Sequence, residues 1–246
     1  MKVSCPSAYL AALCLAVYLA LRLTATVCAA GAGEAEVVRL EAYRANLLNA
    51  YEERVVGERL AYLYEQRHTL LNDPEGQARL ERIKVRLGSV IRARGFEIKI
   101  VRGSQPEAVS FPPGRIYVTS ALVKLAATED ELAAVIAHEA AHIAGHHLSR
   151  LIALALMTPD PDGARFPNRQ AIITGQALQF TFPQTLNDER QRCEMEADEL
   201  AMRWLARAGY DDKALMTVLS RLDAQISRQS TPERAALQAR ISLLRE

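Results

Sequence analysis

The chain has 246 residues, 50% of them hydrophobic and 24% charged, enough for one sizeable core and one catalytic domain. A formal net charge of +1 leaves no electrostatic footprint for nucleic acid or for an acidic partner. Sparse Gly and Pro, mostly helical apolar spacing and no internal repeat predict a mainly α fold.

The first thirty residues differ from the rest. Lys2 provides a positive start, Ala8 to Leu21 is an uninterrupted apolar run, and "TATVCAAGAG" follows. This is the layout of a signal peptide over residues 1–30, with a small-residue cleavage zone near Ala29 or Ala30. The run is short beside the roughly 20 residues of a membrane span, and Arg22 ends it. An uncleaved anchor, which would place the protein beside a membrane, is the competing reading. Val27 before Cys28 argues against a lipoprotein. Cys5, Cys14 and Cys28 all fall in this segment, so Cys193 alone remains in the processed chain, and no intramolecular disulfide is expected. Cys193 reads as a small buried residue.

From Glu34 to Leu71, apolar residues at helical spacing (Leu40, Tyr43, Leu47, Tyr51, Val55) predict one long amphipathic helix. Asn72 and Asp73 break it, and Pro74 opens a second helix that runs to about Arg94 and closes at Gly95. Phe96 to Arg102 alternates as a strand does, Pro112-Pro113-Gly114 turns the chain, and "RIYVTS" reads as another strand. Thr128 and Glu131 form a capping box before a helix expected from about Glu129 to Leu156, with Leu132, Val135, Ile136, Ala140 and Ile143 on its apolar face. The segment 157–169 reads as a loop long enough to be a lid or partner element. Helices near 169–182, 188–208, 211–226 and 232–245 complete the chain, with Gly209 placed to end one of them. The predicted fold is mainly α with a small β-sheet, α+β in class. Residues 31–246 form a single domain, with a helical N-terminal arm at 34–94 and a catalytic core at 95–246.

The chemistry is concentrated in "AVIAHEAAHIAGHH", Ala134 to His147, which holds four of the chain's five histidines. His138 and His142 are four apart on one helix face, so both imidazoles can bind one zinc. Glu139, next to the first, can reach the attacking water and serve as general base. A catalytic zinc needs a third protein ligand. His146 is a poor one, because three groups strung along a helix span about 11 Å. It reads as a rim residue. "RCEMEADEL" offers a better donor on a second helix: Glu194 can bind the metal, and Asp198, one turn on, can receive the free N–H of a ligating histidine.

His-Glu-x-x-His followed some fifty residues later by Glu-x-x-x-Asp resembles the gluzincin metalloproteases that include the CAAX prenyl protease and the heat-shock protease HtpX. The stretch "AVSFPPGRIYVTSALVKLAATEDELAAVIAHEAAH" is similar to that family's strand, Pro-Gly turn, strand and active-site helix. "EMEADELAMRWLARAGYD" and "TPERAALQARISLL" resemble its ligand helix and C-terminal helix. The exported soluble branch, that of the periplasmic β-barrel-assembly-enhancing protease, is the nearest fit. The resemblance implies a zincin-like metalloprotease domain with one Zn2+ per chain on His138, His142 and Glu194, Glu139 as base and Asp198 as orienting residue. It also implies peptide or misfolded envelope-protein substrates, with the strand around Ile116–Thr119 as the edge on which a peptide docks. His147 matches a histidine often found in this branch. It points roughly 180° from His138 around the helix, which suggests a supporting or surface role rather than ligation.

Two departures from the family stand out. No histidine follows His147, and Arg228 lies near the place where many exported relatives carry a regulatory His-Pro. Glu107 and Val109 replace the family's usual residues in "EAVSF" and would alter the substrate edge. The competing functional reading is a chaperone or assembly factor with a latent or plugged zinc site, its arm and the 157–169 loop holding a partner. The intact Glu139 argues against a vestigial site.

Overall fold

The computed structural model describes residues 43–44, 47–91, 95–157, 169–173, 186–225 and 232–244. The signal or anchor segment, most of the 157–169 loop and Arg228 lie outside the described residues. Among the described residues, no helix is long and apolar enough to cross a membrane.

The arm does not form one long helix. Asn49 interrupts it: its side chain accepts hydrogen bonds from the Tyr51 and Glu52 N–H groups, while Glu52 accepts from the Asn49 N–H at 2.9 Å. This complete capping box starts helix α1, Ala50–Arg67, and is a start signal that apolar periodicity conceals. Helix α2, Pro74–Gly88, begins as expected, with Pro74 in its first turn and Asp73 accepting from the Gly76 N–H, but it ends several residues before Arg94.

Three strands follow: β1 (Glu97–Val101), β2 (Ala108–Phe111) and β3 (Arg115–Thr119). Their spatial order is β1-β3-β2, with β1 parallel and β2 antiparallel to β3. The sheet therefore corrects the expected docking edge. The strand around Ile116–Thr119 is central and paired on both sides, and β2 is the edge strand on the side of the histidine helix. Alternation along β3 sends Ile116 and Val118 to one face and Tyr117 to the other.

Helix α3 (Ser120–Leu125) leads to α4, Glu129–Ala144. Thr128 caps α4 through the Glu131 N–H at 3.1 Å, and Glu131 reaches back one residue further than a capping box requires, to the Ala127 N–H. The remaining helices are α5 (His147–Met157), α6 (Arg169–Ile173), α7 (Asn187–Ala208), α8 (Ala214–Gln225) and α9 (Pro232–Leu243). Gly209 ends α7 in the left-handed conformation, φ 73°, as its position in the sequence suggested.

Two apolar clusters lie on opposite faces of the sheet. On one, Leu80, Ile83 and Leu87 of α2 join Ile98, Ile116 and Val118 with the buried faces of α4, α7 and α8. The alanines of α4 (Ala133, Ala137, Ala140, Ala141) meet Ala197 and Ala201 of α7, and side chains this small let two backbones run close together. That closeness is what allows functional groups on α4 and α7 to touch. On the other face, Val56, Leu60 and Tyr64 of α1 cover Val109, Phe111, Tyr117, Ile152 and Ile172. Gly57 makes this second packing possible, since a Cβ there would lie 1.9 Å from the Pro112 carbonyl oxygen. Both faces of the sheet are thus covered, which is the α+β arrangement expected.

Candidate metal centre and active site

His138 and His142 sit one turn apart near the C-terminal end of α4, with their Nε2 atoms 3.0 Å from each other. Glu194, on α7, brings Oε2 to 3.4 Å from His138 Nε2 and Oε1 to 3.5 Å from His142 Nε2. One ligand atom from each of the three residues falls within 4.8 Å of the others. Every residue expected to bind metal is therefore at one point.

The donor chemistry fits a cation there. His138 Nδ1 faces Asp198 Oδ1 at 2.9 Å, which fixes the ring proton on Nδ1 and leaves the Nε2 lone pair pointing at the shared point. His142 Nδ1 shares a hydrogen bond across 2.8 Å with His147 Nδ1. If His142 is the donor, His147 carries its own proton on Nε2, which faces Glu196 Oε2 at 3.3 Å. Two imidazole lone pairs and a carboxylate then converge with nothing but a proton or a cation to reconcile them. Asp198 lies against His138 as the sequence suggested, and His147 takes the supporting one of its two expected roles, though sequence reading did not identify His142 as its partner.

His147 reaches His142 because the expected helix from Glu129 to Leu156 is broken. It stops at Gly145 and restarts at His147, and His146 takes φ 51°, the only non-glycine residue with positive φ among the described residues. The turn swings His147 back toward the site and buries it, instead of leaving it on the far side of a continuous helix. Gly145 completes the device, since a Cβ there would lie 2.3 Å from His147 Nε2. "Gly-His-His" carried the signal, for glycine is the commonest helix-ending residue. His146 is 65% exposed and bonds Glu53 rather than the cluster.

Arg240, on α9, is the residue that sequence reading missed. It places Nε 2.7 Å from Asp198 Oδ2, Nη2 2.5 Å from Asp198 Oδ1 and Nη1 2.7 Å from Glu194 Oε2. Its guanidinium forks onto the two acids of α7. A signal was present: Arg240 lies on the apolar stripe of Leu237, Ile241 and Leu244, where a charge has to have a partner.

The charges sort accordingly. Burial works against charging His138, but Asp198 and Glu194 override it, and its pKa is pushed up to about 9 in the metal-free site. Burial discharges His142, lowering it to about 3, and discharges His147 to about 4 with the help of Arg150. Burial also opposes the charge on Glu194 and Asp198, yet Arg240 beside them holds both below the ordinary carboxylate range. Glu139 is different. Its burial dominates and raises it, with His138 and a hydrogen bond to Ser110 of β2 pulling the other way. A basic carboxyl against the edge strand can accept a proton from a water at the cluster.

A cavity of about 450 Å³ opens beside these groups. Gln105 to Pro112, including edge strand β2, line one side. His138, Glu139, His142 and Glu194 line another, and Val135, Leu215, Leu219 and Leu222 form an apolar wall. Glu107 is on this lining and is raised by burial, while Val109 pairs with Tyr117 and packs mostly into the sheet. Cys193 is a free, buried thiol, raised by burial to about 12.

Curated proteins share this part of the sequence. The beta-barrel assembly-enhancing protease of Escherichia coli (strain K12) is 27% identical over 183 residues, covering 66% of this chain and 36% of the relative. The mitochondrial metalloendopeptidase OMA1 of Schizosaccharomyces pombe (strain 972 / ATCC 24843) is 30% identical over 132 residues, covering 52% of this chain and 38% of the relative. A putative beta-barrel assembly-enhancing protease of Vibrio cholerae is 24% identical over 199 residues, covering 74% of this chain and 40% of the relative. The chain thus spans well under half the length of these relatives. The sequence pattern of peptidase family M48 matches residues 71–245, a stretch that carries both histidines, Glu139, Glu194, Asp198 and Arg240, and the chain belongs to that family.

Proposed function

We propose that the chain is an exported zinc endopeptidase that cleaves extended segments of envelope proteins. The observation that carries this reading is the convergence of His138, His142 and Glu194 on one point with Glu139 beside it and an open cavity in front. Those three residues would hold one zinc ion per chain, which when bound supplies Lewis acidity to the scissile carbonyl and to the attacking water. Glu139 takes the proton of that water as it attacks, then delivers it to the departing amine nitrogen. Asp198 and His147 keep the two imidazoles in the tautomers that leave Nε2 free. Arg240 balances the acids of α7.

Among the described residues β2 pairs with β3 alone and lines the cavity, so a substrate in extended form can add to it as a further strand. The apolar wall favours a large apolar side chain near the cleaved bond. The charged-then-apolar N-terminal segment supports export, and the names of the bacterial relatives support a role in envelope protein quality control.

The test is casein cleavage by the purified chain and by Glu139→Gln. Cleavage by the wild type, lost by about 10²- to 10⁴-fold in the variant while bound zinc is retained, supports the peptidase. Zinc bound by both proteins with cleavage by neither overturns it and favours the alternative, a chaperone or assembly factor with a plugged site.

A further inference from the structure

Glu53, far from the metal cluster in sequence and outside the stretch that matches the family, has no evident reason to be buried. It lies on α1 with 6% of its surface exposed, and its one hydrogen-bond partner among the described residues is His146, Nδ1 to Oε2 at 2.7 Å. Its other oxygen has no hydrogen-bond partner among the described residues. A buried carboxylate with a single contact is costly, and among the described residues the other buried positions of α1 are apolar residues and one glycine. The contact it makes falls on the one non-glycine residue held at positive φ among the described residues. That residue sits between Gly145, which ends α4, and His147, which packs against His142. A second tie comes from the same part of the arm: the Leu48 N–H donates to Ser149 Oγ at 2.8 Å, two residues past His147.

We propose that Glu53 is a positioning residue for the candidate metal centre. By anchoring His146 it holds the left-handed turn, and the turn sets His147 against His142 so that His142 presents Nε2. The arm thereby takes part in the site without touching it. This inference rests on the peptidase reading only for its consequence in cleavage. The positioning itself is a property of the metal-free protein.

The experiment reads the tautomers of His142 and His147 by ¹⁵N-histidine NMR in the metal-free full chain, and zinc affinity by chelator competition. Wild type and Glu53→Gln, which keeps a hydrogen-bonding oxygen, should show one fixed tautomer for each ring. Glu53→Ala should show averaged tautomers and about tenfold weaker zinc binding, the lower end of the range for lost supporting contacts to a metal ligand. Glycine adopts positive φ without strain, so adding His146→Gly to Glu53→Ala should recover most of the loss. If Glu53→Ala does not fold, His146→Ala removes the same anchor and should give the same averaging. Unchanged tautomers in Glu53→Ala or His146→Ala, or a double variant no better than Glu53→Ala, would overturn the proposal. Failure of casein cleavage by the wild type would overturn the peptidase reading alone, because the tautomer measurement does not depend on it.

Discussion

At the scale of single residues, the cluster shows which chemistry a sequence displays and which it hides. His138, Glu139 and His142 are legible because helical spacing dictates that they share a face. Glu194 and Asp198 are legible because acids one turn apart on a second helix complete the same site. Arg240 is hidden because a lone arginine in a helix usually faces water, and only the fold shows that α9 presents it to two buried acids. Its removal has a definite consequence. Arg240→Met leaves Glu194 and Asp198 with only His138 as counter-charge in the metal-free site, and breaking a buried pair from one side costs about 3–5 kcal/mol. A cation at Glu194 would replace part of that lost charge. Urea unfolding of Arg240→Met should therefore show a large loss of stability in EDTA and a smaller one with zinc. Equal losses under both conditions would mean that Glu194 does not face the bound ion.

At the scale of elements, local pattern located the helices and strands and misread how they join. The stretch of β3 reads as a strand, and nothing in its local pattern says that it is central. Its place follows from the parallel crossover that brings β1 to its other side, a pairing between segments distant in sequence. The helix through the histidines reads as continuous because apolar spacing persists past Gly145 into Leu148, Leu151 and Ile152, while the break is set by one glycine and one residue with positive φ. The arm-to-sheet joint shows a further coupling. Glu65 of α1 accepts from Lys99 Nζ of β1 at 2.8 Å and from the Tyr117 hydroxyl of β3 at 2.7 Å. The Lys99 hydrogen bond is the chief cause that holds Glu65 below the ordinary carboxylate value of 4.5. A depressed folded pKa means that the native state binds fewer protons than the unfolded one just below that value. The stabilisation is complete above about pH 4.5 and disappears as pH falls through the folded pKa. Both side chains are about a quarter exposed, so its size should stay below about 1 kcal/mol. Melting curves of wild type and Glu65→Gln should differ by a constant amount at neutral pH and converge well below pH 4.5. A difference that grew toward acid would contradict this coupling.

At the scale of the whole molecule, the arm is part of the structure that supports the site, although the family match begins at residue 71. Val56, Leu60 and Tyr64 close the second apolar cluster over Val109 and Phe111 of the edge strand, and over Ile152 on the helix that follows the histidine turn. The edge strand that lines the cavity and the turn that orients His147 are therefore both backed by residues outside the matched stretch. Composition could not reveal this, since an amphipathic helix announces an apolar face but not the surface that it covers. The consequence is measurable in a fragment of residues 71–246. Losing α1 exposes several aliphatic and aromatic side chains, each worth roughly 1.5–3 kcal/mol when fully buried. Domain stability totals only about 5–15 kcal/mol, so removing this layer should take most of it. The fragment should bind a dye for exposed apolar surface, aggregate at micromolar concentration and lose cooperative melting. Adding a peptide of residues 43–70 in trans should restore part of the melting transition, because the Glu65 contacts and the Tyr64 packing need no covalent link. A fragment that melts cooperatively near the full chain's temperature would show instead that the catalytic core stands alone, and that the arm only rests on it.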